Sequence, residues 1–217
     1  GQSLAAWGVP VNGLVPHTAT ADGRLIVSDG SSTTLYRGAD SSNTAFVSIP
    51  TPDADASRRL QAMFRSPSGA IFASTYLPGS NTTSAQGRLY RSTDNGDTWA
   101  LCLDCGVAPP EKWNFSAVGN RILVSQYGPR LSTPPSELAW LSDDDGATWR
   151  VVFRASDLIS VADGIHLHIT IIDPSNPDRA VISSGDGQAT RRIFWTSNLS
   201  AATPAPASSW RACPGPR

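Results

Sequence analysis

The stretch "STDNGDTW", Ser92 to Trp99, sets two aspartates, an asparagine and a glycine close together and then closes on a tryptophan. Asp and Asn side chains bond back to nearby backbone N–H groups and Gly tolerates positive φ, so the polar part reads as a tight reversal between two strands. The same order returns at "SDDDGATW", Ser142 to Trp149. A reversal that twice ends in the largest apolar side chain reads as one unit, in which the indole folds back beneath the polar loop and packs between neighbouring sheets. On that reading Trp99 and Trp149 are buried, and removing either indole costs about 3–5 kcal/mol.

Two weaker copies extend the pattern. Aligned on the central residue of each turn, Asp40, Asp94, Asp144 and Asn198 lie 54, 50 and 54 residues apart. A period near fifty signals a repeat array. Each unit carries an apolar run well before its turn: "RLIVS" from Arg24, "AIFAS" from Ala70, "RILVS" from Arg121 and "AVISS" from Ala180. A second strand enters the turn ("TLYRG", "RLYRS", "LAWLS", "IFWTS") and a third leaves it ("AFVSI", "WALCL", "WRVVF", "WRACP"). A further candidate precedes the first run: "HTATA", "LQAMF", "WNFSA" and "IHLHITII". Four short strands per unit, with no helical period between them, describe the blade of an all-β propeller. The expectation is a single domain over residues 1–217, with four-stranded antiparallel blades near 14–50, 57–107, 112–155 and 165–213. "SLAAW" before Gly8 looks like the end of a preceding unit, so the four blades are expected to form part of a larger ring, with a closed four-bladed ring as the alternative.

Composition narrows the partners. The 217 residues are 40% hydrophobic and 16% charged, enough for one sizeable core. A net charge of -1 gives neither nucleic acid nor an anionic membrane an electrostatic claim. No run reaches the roughly 18 apolar residues that span a bilayer. Three cysteines, with Cys102 and Cys105 in "CLDC" and Cys213 apart, are too few for a four-thiolate zinc site; a local disulfide and buried free thiols both fit. Neither metal nor cofactor is expected. Asn81, Asn114 and Asn198 fit Asn-x-Ser/Thr, and Lys112 stands alone against sixteen Arg, a usage expected of a GC-rich bacterial genome.

The two intact turns match Ser/Thr-x-Asp-x-Gly-x-Thr-Trp at every defined position: Ser92, Asp94, Gly96, Thr98 and Trp99, then Ser142, Asp144, Gly146, Thr148 and Trp149. They resemble the Asp-box, or BNR repeat, of the sialidase-like β-propellers. "GADSSNTAF" from Gly38 has Ser where Gly belongs, and the copy around Asn198 carries a long insertion before Trp210. The resemblance implies that the boxes sit on the face away from the binding site. It also implies substrates at a cell surface or outside the cell. A sialidase of this kind uses three arginines, a tyrosine nucleophile activated by a glutamate, and an aspartate acid/base. Here Val15 and His17 flank Pro16 where the first arginine is needed, and Glu111 and Glu137 are the sole glutamates. No complete catalytic set is visible.

Function is therefore sought on the opposite face, in the loops 29–34, 75–87, 126–137 and 185–192, because binding residues concentrate on loops held by a rigid scaffold. Those loops hold Tyr76, Tyr127, Arg130, Asp186, Arg191 and Arg192, a set suited to stacking on a sugar and gripping a carboxylate. His166 and His168 in "GIHLHITIIDP" alternate onto one face of a strand. With Asp186 they can hold a divalent ion or move a proton, or simply bond to backbone and water. The leading expectation is a propeller that binds a glycan or other small polar ligand. The alternatives are an exo-sialidase-type glycoside hydrolase and a metal-assisted hydrolase on the His-x-His strand.

Overall fold

A computed structural model describes residues 14–29, 34–78, 86–128, 134–162, 164–185, 190–202 and 209–213. The period of fifty resolves into four antiparallel four-stranded sheets, each a simple meander. The first blade is β1 (Val15–Ala19), β2 (Leu25–Ser28), β3 (Leu35–Gly38) and β4 (Phe46–Ile49). The second is β5 (Arg59–Arg65), β6 (Ile71–Tyr76), β7 (Gly87–Ser92) and β8 (Ala100–Gly106). The third is β9 (Phe115–Val118), β10 (Arg121–Ser125), β11 (Leu138–Ser142) and β12 (Arg150–Arg154). The fourth is β13 (Leu167–Ile172), β14 (Ala180–Ser184), β15 (Arg192–Thr196) and β16 (Arg211–Ala212). First strands of successive blades lie side by side, β1 by β5 and β9 by β13, which makes the array radial. The fold is a β-propeller.

Three apolar layers fill the spaces between the four sheets. Ile26, Leu35 and Ile49 of the first blade meet Leu60, Met63 and Ile71 of the second. Phe72 and Leu89 meet Phe115, Ile122, Val124 and Trp140. Leu123, Leu141 and Phe153 meet Leu167, Ile182 and Phe194. This explains why the second strands read as unbroken apolar runs: β2, β6 and β10 are covered on both faces, so alternation disappears.

The aspartate turns are built as their residue types dictate. Asp94 Oδ1 accepts from Ser92 Oγ at 2.8 Å and from Thr98 N at 2.9 Å, while Oδ2 accepts from Thr98 Oγ1 at 2.5 Å. Gly96 N donates to Ser92 Oγ at 2.8 Å. The third blade repeats every bond within 0.1 Å around Asp144. The bonds from Thr148, joined by that from Ser142, draw the Asp144 carboxyl down to about 2. Gly146 has φ 84°, and a Cβ there would lie 2.4 Å from Phe72 of the preceding blade, so conformation and packing both require glycine. The turns also tie blade to blade. Arg37 donates to the Asn95 carbonyl at 2.7 Å, and Arg91 to the Asp145 carbonyl at 2.7 Å.

One expectation about these turns needs correction. Trp99 and Trp149 are half-buried, because each lies at the rim of its layer, with Nε1 donating to Pro50 O at 3.1 Å and Gly146 O at 3.2 Å respectively. The fully buried indole is Trp210, in the copy most damaged by insertion. It donates to Val152 O at 2.9 Å and packs at 5.1 Å on Phe153. The first copy lacks its glycine yet keeps the reversal, since Asn43 takes the left-handed conformation at φ 53° and its Oδ1 accepts from Leu25 N at 2.7 Å. All three cysteines are free thiols; burial pushes Cys102 up to about 12 and Cys105 well above the usual thiol range.

Candidate functional site

The face opposite the aspartate turns carries the loops between second and third strands together with the linkers from one blade to the next. Its best-built region lies where the third and fourth blades meet. The linker after β8 ends in a 3-10 turn, Lys112–Asn114, before β9 begins at Phe115, so "WNFSA" is a turn followed by a strand. Asn114 is fully buried. Its Nδ2 donates to His168 O at 2.7 Å, Leu167 O at 3.1 Å and Ser125 Oγ at 2.8 Å, which pins the fourth blade's first strand to the third blade. The sequon at Asn114 is therefore structural. Gln126 makes the matching pin on the other side, donating to Cys105 O at 2.7 Å and accepting from Leu138 N at 2.9 Å.

Between these pins the rings gather. Tyr127 follows β10, with its backbone N–H donating to Pro109 O at 3.2 Å. Its ring lies 4.8 Å from His166 and 5.5 Å from His168, and the two imidazoles are 4.7 Å apart. Trp113, on the 3-10 turn, meets Tyr127 edge-on at 5.4 Å and remains 40% exposed. His166 Nδ1 bonds to Gly128 O at 2.9 Å; a carbonyl can only accept, so the proton sits on Nδ1. Gly185 closes the far side: a Cβ there would come within 2.3 Å of His168 Nε2.

The sequence candidates divide accordingly. Tyr127, His166 and His168 are brought together, although β13 starts at Leu167 and only His168 lies within the strand. Tyr76 is the last residue of β6, paired with Arg59 in the second blade, and Arg192 opens β15; both are strand residues, because the strands run into segments read as loop. Arg192 turns its guanidinium onto Arg191 O at 2.7 Å, on the fourth blade's edge of the same face. Arg130 and Asp186 lie outside the described residues. Among the described residues, no three His, Cys, Asp or Glu side chains gather as a metal site would require.

Sequence reasoning missed two features. One is Trp113, hidden by its assignment to a strand; the adjacent Glu-Lys pair after two prolines was the signal for a turn. The other is a polar cluster between the first two blades. Asp53 Oδ2 takes bonds from Tyr90 Oη at 2.5 Å, Arg58 Nε at 2.9 Å and Arg88 at 3.2 Å, beside a cavity of about 120 Å³ lined by Asp53, Arg58, Arg59 and Thr75. Burial pushes the Asp53 carboxyl upward, but the bond from Tyr90 and the other donors outweigh it and keep the group an anion. Asp53 is thus an anchor rather than a proton donor. Glu111 goes the other way: half-buried at the head of the Trp113 turn, its carboxyl is raised by burial, with only partial relief from Lys112.

No protein-family model and no curated protein sequence matches the chain. Solved structures do. A GH74 enzyme of Niastella koreensis superposes with a TM-score of 0.58 at 18% identity, over 87% of this chain and 28% of that one. The GH74 xyloglucanase of Xanthomonas campestris gives 0.56 at 19%, over 88% and 27%. The α-L-arabinofuranosidase Arb93A of Fusarium graminearum gives 0.52 at 13%, over 93% and 66%. The chain thus spans under a third of the first two and about two thirds of the last. At these identities the likeness establishes the fold alone, a β-propeller as in these glycoside hydrolases.

Proposed function

We propose that the chain is a carbohydrate-binding arc of a sialidase-like Asp-box propeller, with its sugar site where the third and fourth blades meet. The observation that carries this reading is Trp113: an indole 40% exposed on the ligand-facing side, held edge-on by Tyr127, which is itself backed by His166 and His168. An indole face accepts the C–H face of a pyranose, and phenol and imidazole groups beside it bond to ring hydroxyls. Arg191 and Arg192 stand at the edge of this region for an anionic substituent. The aspartate turns, on the other face, hold the blades together and touch no ligand. The reading places the protein outside the cell, where polysaccharides are.

A hydrolytic role has one specific observation in its favour. Glu111 sits two residues before Trp113 with a raised carboxyl, the property a general acid needs to protonate a glycosidic oxygen.

Both readings are tested together. The protein is titrated calorimetrically with xyloglucan, arabinan and sialylated oligosaccharides while reducing ends are assayed with and without chelator. Binding to one class that falls at least about ten-fold in Trp113→Ala supports the site. Turnover lost in Glu111→Gln with binding retained establishes the hydrolase. Binding indifferent to Trp113→Ala refutes the site, and turnover abolished by chelator returns the chemistry to a metal at His166 and His168.

A further inference from the structure

The linker from β4 to the second blade, residues 50–58, carries chemistry that the sugar site leaves unused. Arg58 immediately precedes β5, as Asn114 immediately precedes β9. Asn114 spends its Nδ2 on three acceptors and is satisfied within the fold. Arg58 is not. Its side chain is 1% exposed, with Nε paired to Asp53 Oδ2 at 2.9 Å and donating to Thr75 Oγ1 at 3.2 Å. Nη2 donates to the Gln86 carbonyl, and Nη1 has no hydrogen-bond partner among the described residues. The same residue lines the cavity of about 120 Å³ between the first two blades. A guanidinium cannot shed its proton, so a buried donor left over at a cavity wall calls for an acceptor inside it.

Charge and shape say which acceptor. Arg58 and Arg88 share Asp53 as their ion-pair partner, which leaves one positive charge in excess, while at the rim Arg59 is offset by the exposed Asp55. Burial and the adjacent Arg88 charge draw Arg58 below its ordinary value, and Asp53 only partly opposes them. The surplus suits a monoanion. The rest of the wall is apolar: Leu35, Pro52 and Leu60 are all buried. At about 30 Å³ per water the cavity has room for about four waters, or one molecule of four to six non-hydrogen atoms.

We propose that this cavity binds a short-chain monocarboxylate, with its carboxylate on Arg58 Nη1 and its alkyl end against Leu35, Pro52 and Leu60. The bond is charge-assisted, and the alkyl end replaces water on the apolar wall. Phosphate or sulfate is a poorer occupant, because each carries more charge than the surplus and would turn oxygens onto that wall. The site is separate from the Trp113 region, which lies between other blades.

The test is calorimetric titration of the 217-residue chain with sodium propionate at constant ionic strength, beside sodium chloride and sodium phosphate. For so small a ligand the expected dissociation constant is about 1 mM. Arg58→Lys keeps the charge beside Asp53 but withdraws the Nη1 donor, and should weaken propionate at least about ten-fold. Ala56→Phe, at an exposed linker position on the cavity wall, fills the space without touching the charged cluster and should do the same with an unchanged melting temperature. Trp113→Ala should leave propionate binding as it was, whatever it does to sugar. Absence of saturable heat by about 50 mM propionate overturns the proposal. So does phosphate or chloride binding as tightly as propionate, or propionate affinity indifferent to Ala56→Phe.

Discussion

Trp210 offers the sharpest test of how the blades are held together. It follows the most degraded of the four turns, yet its indole is fully buried, 5.1 Å from the Phe153 ring and bonded to the Val152 carbonyl of the preceding blade. A buried indole removes about 150–250 Å² from water, which at about 25 cal/mol per Å² is roughly 4–6 kcal/mol as an upper bound. Leaving the Val152 carbonyl without its donor adds about 1 kcal/mol. Trp210→Ala is therefore expected to cost about 4–5 kcal/mol, consistent with large aromatic truncations in cores. Trp99→Ala and Trp149→Ala remove half-buried rings and should cost about 2 kcal/mol each. For a chain of this size 1 kcal/mol moves the melting temperature by about 2–4 °C, so calorimetry should show a fall of roughly 10–15 °C for Trp210→Ala and about half of that for the others. A Trp210→Ala melt no lower than that of Trp149→Ala would refute the layer-by-layer account of stability.

Other outcomes follow from the same geometry. Gly146→Ala meets Phe72 at 2.4 Å and φ 84°, and should lower the melting temperature more than Gly96→Ala, whose nearest neighbour is the end of Ile49 at 3.0 Å; paired melts decide it. Asp53→Asn leaves Arg58 and Arg88 without their anion and should cost about 3–5 kcal/mol in urea unfolding, with Asp53→Ala no milder. Acid should destabilise the protein in two steps. Burial holds His17 below 6.5, so the unfolded chain binds that proton more readily and stability falls as pH drops through about 6.5. Asp144 is depressed to about 2, so its contribution is present above about 4 and lost as pH falls towards 2. Melts of His17→Gln and Asp144→Asn across pH 7 to 2 should each flatten one step.

The architecture was legible because a propeller writes itself into local chemistry. Each turn needs Asp to gather N–H groups and Gly to take positive φ, so "STDNGDTW" and "SDDDGATW" announce both the reversal and its period. Burial was less legible, because it depends on the neighbouring blade: nothing in "SSW" distinguishes the enclosed Trp210 from the half-open Trp149. At the site, period-two alternation brought His166 and His168 to one side, and the loop after β10 added Tyr127. Trp113 and Asn114 were lost to a boundary error of two residues. The Asp53 cluster joins residues up to 37 apart on a linker and β7, with no spacing rule to reveal it.

The central claim, that Trp113 is the sugar platform, can be read directly from the indole N–H signals of the seven tryptophans in a proton–nitrogen correlation spectrum. Each signal is assigned by single Trp→Phe variants, and oligosaccharide is then added to saturation. The account requires the Trp113 signal to move progressively and those of Trp99, Trp149 and Trp210, on the turn side or within the blade layers, to stay in place. Movement confined to those three, or saturable binding that leaves Trp113 unshifted, would contradict it.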